Sequence, residues 1–330
     1  RDLDEWADQV ARVATAAGAT DEDIFQISFG YGLFTGALGL HYGLEKIGAT
    51  VIPASSGNTA KQLMMFRDFG VTGLVATPSY ALYLGEMVRE SPYPKEAYKL
   101  RLGLLGSEGC TEKMREQIEK NLNIFVTDNY GLTELTGPGV SGECQYRCGL
   151  HFAEDAFLPE VIDSDTLEHK APGEAGELVV TTLLREGMPV LRYRTKDITS
   201  LNYEPCRCGR THVRMEKVMG RTDDMMIIKG VNVFPSQIES VLVGTEGVGP
   251  HYQLVIRRKN FMDSLEVKVE LVSADLLQSY GKLEALQRNI HDRLKSVLGL
   301  ETKVTLVEPK SLERFQGKAK RILDLRNEEE

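Results

Sequence analysis

No stretch of the 330-residue sequence approaches the roughly 20 apolar residues of a membrane-spanning helix. The first ten residues, RDLDEWADQV, are charged rather than signal-like. Both absences point to the cytoplasm and away from a membrane. Basic residues are in deficit: 39 Lys and Arg against 48 Asp and Glu leave a net charge of −9. That balance argues against general binding to nucleic acid or an anionic membrane, while leaving room for one locally positive pocket. There is no internal repeat, low-complexity tract or flexible linker, apart from the acidic tail Glu328 to Glu330. What remains is ordinary globular composition, 42% hydrophobic and 26% charged. At this length two domains are expected, each large enough for its own core.

The pattern along the chain changes twice. After an amphipathic helix (Leu3, Trp6, Val10, Val13, Ala14, Ala17), short apolar runs alternate with helical segments as far as Gly131. The runs are Ile24 to Phe29, Ala49 to Ile52, Gly73 to Thr77, Leu102 to Gly106 and Ile124 to Thr127. Between them lie helical patterns at Phe34 to Ile47, Ala60 to Phe69, Tyr80 to Arg89 and Thr111 to Asn121. Such alternation predicts an α/β fold with a parallel sheet, whose ligands bind beyond the carboxyl ends of the strands. From Gly149 to about Gly220 strand-like runs follow one another without a helix, which predicts an antiparallel sheet or small barrel. From Arg221 a hairpin (MMIIKGVNVF), two helices and further strands predict a smaller α+β domain. The expected division is therefore 1–220, comprising an α/β region over 1–140 and a barrel region over 141–220, followed by 221–330.

The most specific segment is Asp128-Asn129-Tyr130-Gly131-Leu132-Thr133-Glu134. An aromatic ring can stack on a base, Gly admits a phosphate close to the backbone, Thr donates to a phosphate oxygen, and Glu can hold hydrated Mg²⁺. Later come Arg192-Tyr193-Arg194-Thr195-Lys196-Asp197, then Gly220-Arg221-Thr222-Asp223-Asp224, and finally Gly317-Lys318. Gly30, Gly32 and Gly36 suggest a nicotinamide site, but their spacing is not GxGxxG and no acidic residue closes the following strand.

The ordered series YGLTE, RYRTKD, GRTDDMMIIKG and a late GK resembles the adenylate-forming enzymes, the acyl-CoA synthetase superfamily. SFGYGLFTGALGLHYGLEKIGATVIP, GLHFAEDAF and DDMMIIKGVNVFPSQIE are similar to the phenylacetate-CoA ligase family in particular. The resemblance implies a large N-terminal domain of parallel sheet plus small barrel, and a mobile C-terminal domain. It also implies an acid-thiol ligase acting in phenylacetate catabolism: an aryl acid, ATP and CoA give acyl-CoA, AMP and pyrophosphate through an acyl-adenylate. A homodimer is compatible with it, and two alternatives are acyl transfer to a carrier-protein thiol or a catalytically silent nucleotide-binding or interaction protein.

Carried over by motif position, the resemblance implies that Ser107, Glu108 and Tyr130 line the adenine site, with Tyr130 stacking on the base, and that Gly131 beside it belongs to the cofactor-binding set. Thr133 would touch the α-phosphate, Glu134 would serve Mg²⁺, and Asp197 would accept both ribose hydroxyls. Arg221 would lie near the ribose, Asp223 would be the hinge, and Lys229 would face the site during thioester formation. Lys318 would be the adenylation lysine. Phe29 and Tyr31, just after the first predicted strand, are candidates for the acyl-pocket wall.

Cys144, Cys148, Cys206 and Cys208 form two close groups, with His151 after the first. In a reducing compartment such groups read as a Zn²⁺ site, and spacing alone allows Cys₄ or Cys₃His. The resemblance favours Cys144, His151, Cys206 and Cys208, with Cys148 as the alternative ligand. Cys110 stands apart. The family's Ser/Thr/Gly-rich phosphate loop is expected before residue 1. The segment Ser55 to Lys61 (SSGNTAK) lacks the closing Gly-Lys order and reads as a loop and helix start, with Ser, Asn or Thr as the N-cap. The chain therefore reads as a ligase truncated at its start, which would keep adenine and ribose binding without efficient adenylation by the fragment alone.

Overall fold

In the computed structural model, which describes residues 1–32, 35–222, 225–228, 231–259, 262–278, 280–314 and 321–326, the chain divides into two units. One covers Arg1–Thr222 and the other the described residues that follow.

The first unit begins with the alternation the apolar runs predict. Helix α1 (Asp2–Ala17) leads to β1 (Ile24–Ile27), α2 (Thr35–Lys46), β2 (Thr50–Ile52), α3 (Thr59–Asp68), β3 (Gly73–Ala76), α4 (Pro78–Glu90), β4 (Leu102–Gly106), α5 (Glu112–Leu122) and β5 (Phe125–Leu132). The five strands are parallel in the order β2-β1-β3-β4-β5. Because strand order reverses between β1 and β3, a crevice opens where their following loops part. Strands alone follow: β6 (Gly137–Glu143), β7 (Leu150–Phe152), β8 (Phe157–Ile162), β9 (Gly176–Thr182), β10 (Tyr193–Thr199), β11 (Leu201–Asn202), β12 (Arg214–Met215) and β13 (Gly220–Arg221).

The region expected to form one antiparallel sheet or barrel is divided. Strands β6, β7, β12 and β11 extend the parallel sheet antiparallel from β5, giving nine strands, while β13-β10-β9-β8 form a separate four-stranded sheet. A single apolar cluster joins the two sheets, with Phe152 and Met215 from the first and Phe157, Leu178 and Val180 from the second.

Helix α1 is held by an unusual bed. Its apolar stripe of Trp6, Val10, Ala14 and Ala17 is buried, and it lies on glycines. A Cβ at Gly39 would stand 2.2 Å from the Trp6 ring, one at Gly43 2.3 Å from Val10, and one at Gly142 2.4 Å from Val13. The Trp6 indole N–H donates to the Pro138 carbonyl at 2.7 Å, satisfying its one polar atom in the core. These glycines also explain why strand β6, GPGVSGE, carries no apolar alternation and escapes a reading by periodicity.

The second unit contains β14 (Met226–Ile228), β15 (Val231–Val233), α6 (Pro235–Leu242), β16 (Val248–Lys259), β17 (Met262–Leu271), α7 (Tyr280–Leu298), β18 (Lys303–Val307) and β19 (Ile322–Asp324). Its main sheet has the order β18-β17-β16-β19, with both outer strands parallel to their neighbours. Ile238 and Leu242 of α6 and Ile290 and Leu294 of α7 pack with Leu254, Ile256, Val267 and Val269 of the sheet. Among the described residues no helix is long and apolar enough to cross a membrane.

The substitution Gly43→Ala separates two opposed effects. Helix propensity alone would stabilise α2 by about 1 kcal/mol. The new Cβ, however, would meet Val10 Cβ at 2.5 Å and the Ala11 backbone nitrogen at 3.0 Å, an overpacking cost of about 1–3 kcal/mol. Urea unfolding is expected to show net destabilisation.

Candidate functional site

The loops that leave the carboxyl ends of the parallel strands gather most of the residues expected at the site. After β1, Phe29 is buried in the core with Phe25, Ile27 and Leu40. Tyr31 is half-buried: its N–H reaches Ser55 Oγ at 3.4 Å and its hydroxyl lies 2.9 Å from His41 Nδ1. After β2, Asn58 caps α3 by accepting from the Lys61 N–H at 3.3 Å, so SSGNTAK is the helix start its composition suggests. After β4, Ser107 sits at φ 65. The Glu108 carboxylate accepts from the Ser79 N–H at 3.2 Å, at the first turn of α4, so the loops after β3 and β4 are tied together.

Strand β5 carries the aromatic of the YGLTE segment to the strand's end. The Tyr130 hydroxyl donates to Asp197 Oδ2 at 2.5 Å, and Arg221 Nη1 donates to Asp197 Oδ1 at 2.8 Å. The β10–β13 register sets Asp197 opposite Arg221. Burial and the adjoining Asp197 carboxylate push the Tyr130 phenol well above its ordinary value, so Tyr130 remains a neutral donor. With two lone pairs on each oxygen, Asp197 keeps acceptor capacity while its orientation is fixed.

Gly131 serves the fold at this point. A Cβ there would stand 1.8 Å from the Gly137 carbonyl oxygen, so only glycine lets the β5–β6 hairpin close. In the turn of that hairpin Thr133 and Glu134 are exposed, with Thr133 Oγ1 3.2 Å from Thr35 Oγ1. Arg185 braces the turn from outside by donating to the Glu134 carbonyl at 2.8 Å and to that of Leu135. A hydroxyl and a carboxylate are thereby presented together in the turn after β5.

Beneath Tyr130 lies a polar group that the motif reading missed. Arg115 on α5 and Glu143 at the end of β6 form a buried ion pair of 2.9 Å, and Glu143 Oε2 also accepts the Asp128 N–H at 2.8 Å. Enclosure by protein atoms, then repulsion from Glu143, push the Asp128 carboxyl up to about 7. The only sequence trace of this arrangement is a carboxylate closing a glycine-rich run.

Cys144, His151, Cys206 and Cys208 converge, their ligand atoms all within 4.8 Å of one another. Cys144 Sγ is 3.8 Å from Cys206 Sγ, and Cys208 Sγ is 3.5 Å from His151 Nε2. Cys148 stays outside this group, its thiol donating to the Tyr146 carbonyl at 3.3 Å. Burial, with Arg210 and Arg214 nearby, depresses the His151 imidazole to about 4, leaving it neutral and able to ligate. Cys110 is buried elsewhere, its thiol pushed up to about 12 by burial. Asp223, Lys229 and Lys318 lie outside the described residues.

Comparison with known proteins agrees with this geometry. The family model of the AMP-binding enzyme matches residues 7–183, and that of the AMP-binding enzyme C-terminal domain matches residues 230–326. The phenylacetate-coenzyme A ligase of Thermus thermophilus is 46% identical over 98% of this chain and 76% of its own. That of Escherichia coli K12 is 45% identical over 99% of this chain and 74% of its own. A crystal structure of 2-hydroxyisobutyryl-CoA ligase in complex with R3-HIB-AMP superposes with a TM-score of 0.92 at 27% identity, covering 99% of this chain and 70% of that one.

The raised Asp128 carboxyl has a signed consequence. Its folded value of about 7 exceeds the ordinary 3.8, so between these two the folded state holds the proton more tightly and stability falls as pH rises. Asp128→Asn is expected to flatten that slope and to be the more stable protein at pH 8, as measured by urea unfolding across pH 4 to 8.

Proposed function

The chain belongs to the phenylacetate-CoA ligase family of the adenylate-forming AMP-binding enzymes, and from this premise we propose phenylacetate, or a close aryl analogue, as the acid it activates. It is an acid-thiol ligase that joins an aryl acid to CoA with ATP. The observation that carries the choice of acid is the 46% and 45% identity to phenylacetate-coenzyme A ligases along nearly the whole chain. The Tyr130–Asp197–Arg221 cluster supports the use of ATP by bringing an aromatic ring and an oriented carboxylate, groups suited to adenine and ribose, to the carboxyl end of β5.

In the first half-reaction a carboxylate oxygen of the acid attacks the α-phosphorus of ATP, and the bond to pyrophosphate breaks. In the second, the CoA sulfur attacks the acyl carbon and AMP leaves. Our assignment gives Asp197 the ribose hydroxyls and the pinned ring of Tyr130 the adenine face, with Ser107, Glu108, Gly131 and Arg221 around them. Thr133 donates to an α-phosphate oxygen. The exposed Glu134 carboxylate suits Mg²⁺, which neutralises phosphate charge when bound. Tyr31, with Phe29 packed behind it, forms the acyl wall. Lys318 supplies positive charge to the phosphate and carboxylate oxygens, Lys229 acts in thioester formation, and Asp223 is the hinge between domains 1–220 and 221–330.

We also propose a structural Zn²⁺ on Cys144, His151, Cys206 and Cys208. Tetrahedral bonds of about 2.3 Å to sulfur and about 2.0 Å to nitrogen imply S–S separations of roughly 3.8 Å and S–N separations of roughly 3.5 Å. The Cys144–Cys206 separation is 3.8 Å and the Cys208–His151 separation 3.5 Å, with all four ligand atoms within 4.8 Å of one another. Such an ion would clip the chain after β6 to the loop between β11 and β12, away from the nucleotide groups, and its thiolates suit a reducing cytoplasm.

Pyrophosphate exchange into ATP by the intact gene product, with a panel of aryl and aliphatic acids, tests the reaction. Exchange dependent on phenylacetate is expected; dependence on an aliphatic acid would displace the proposed substrate. Lys318→Ala is expected to lower exchange by about 10²-fold or more, while thioester formation from preformed acyl-adenylate persists. Equal loss in both half-reactions would remove the role given to Lys318. Elemental analysis is expected to find about one zinc per chain, and a fully folded metal-free protein would dismiss the clip.

A further inference from the structure

We propose that Thr35 is a positioning residue for adenylation: its hydroxyl donates to Thr133 Oγ1 and so directs the one hydroxyl proton of Thr133 at the α-phosphate. The inference rests on the α-phosphate contact assigned to Thr133 and extends it to a residue on another element.

The two hydroxyl oxygens lie 3.2 Å apart, although 98 positions separate them in the chain. Thr35 is the first residue of α2, and Thr133 stands in the turn between β5 and β6. Each side of the contact is held by the core. On the helix, Ala37 and Leu40 pack in one apolar cluster with Trp6. At the turn, Leu135 is fully buried, and the N–H groups of Leu135 and Thr136 both donate to the Leu132 carbonyl, at 3.1 and 3.2 Å. Arg185 braces the same turn through the Glu134 carbonyl at 2.8 Å. Gly137 makes room for the approach of helix and turn. Its φ of 110 favours glycine, and a Cβ there would stand 3.2 Å from Thr35 Oγ1 and 2.7 Å from the Trp6 ring.

The backbone of the turn is thus fixed, whereas the Thr133 side chain is exposed and its hydroxyl proton turns freely about the C–O bond. A hydroxyl has one proton to donate and two lone pairs with which to accept. If Thr133 gives its proton to a phosphate oxygen, it must meet Thr35 through a lone pair, and Thr35 is then the donor of the pair. Two hydroxyls in series polarise each other in the same direction, which strengthens the outer bond. A donor aimed beforehand at the place where charge develops needs no reorganisation during the reaction. Without the Thr35 hydroxyl the Thr133 proton has no such bias, and the rate falls although the side chain itself is intact.

The test uses the intact gene product and five variants: Thr35→Val, which replaces the hydroxyl by a methyl group, Thr35→Ala, Thr35→Ser, Thr133→Val and the double variant Thr35→Val/Thr133→Val. Thermal melting followed by circular dichroism identifies the folded proteins, and Thr35→Ala replaces Thr35→Val if valine disturbs the start of α2. In Thr35→Val kcat for phenylacetate-dependent pyrophosphate exchange is expected to fall about three- to thirty-fold, the range of one hydrogen bond. KM for ATP is expected to stay within about threefold of the parent, because the adenine and ribose groups are untouched. Thr35→Ser is expected to recover most of the loss. The double variant is expected to be no slower than Thr133→Val, since Thr35 acts through that hydroxyl.

Parental exchange in Thr35→Val beside slow exchange in Thr133→Val would overturn the proposal and leave Thr133 in its role. Additive losses in the double variant would overturn it as well, as would a folded Thr35→Ser as slow as Thr35→Val, because both mark a packing role. Parental exchange in Thr133→Val would overturn the α-phosphate contact itself, and the proposal with it.

Discussion

The buried pair between Arg115 and Glu143 is the constraint around which the carboxyl end of β5 is organised. Both side chains are almost fully enclosed, and their 2.9 Å contact ties α5 to the last residue of β6. One Glu143 oxygen also takes the Asp128 N–H, so the pair sets where β5 runs just before Tyr130. Two residues further along the same strand face, the Tyr130 hydroxyl meets Asp197, and Arg221 closes the set. Removing one member would leave an uncompensated buried charge. The carboxyl end of β5 therefore depends on a pair that touches none of the proposed substrate groups.

Much of this architecture is legible in the sequence because its elements have periods. The inner parallel strands β3 and β4 are continuous, fully buried runs, as expected for strands covered on both faces, while β1, β2 and β5 are mostly apolar over their first residues, and α1 has a clear apolar stripe. Strand β6 is not legible, because what it presents to α1 is backbone rather than side chains. Strand β19 is only three residues long and follows a basic run, so no pattern marks it. The strands of 141–220 are visible individually, but their sharing between two sheets is decided by pairing partners distant in sequence.

The candidate site shows the same division. The family resemblance of the ordered motifs indicated Tyr130, Asp197 and Arg221, while the close grouping of cysteines with a histidine indicated the cysteine cluster. Which four of the cysteine and histidine groups converge is a matter of three-dimensional reach, and the structure selects the set without Cys148. Gly131 reads as a residue making room for a phosphate, yet the nearest demand on it comes from the Gly137 carbonyl. Glu143, Arg115 and His41 carry no motif, since their roles are created by neighbours from other elements.

The bed of α1 also bears on how the chain is made. Trp6 finds its hydrogen-bond acceptor on Pro138, 132 residues downstream. At roughly 5–20 residues per second, the ribosome needs roughly 6–26 seconds to deliver that part of the bed after Trp6. During this interval α1 has α2 and the early parallel strands to cover its apolar stripe, so the nascent protein leaves the face of α1 that packs on β6 open to chaperones until β6 has been synthesised.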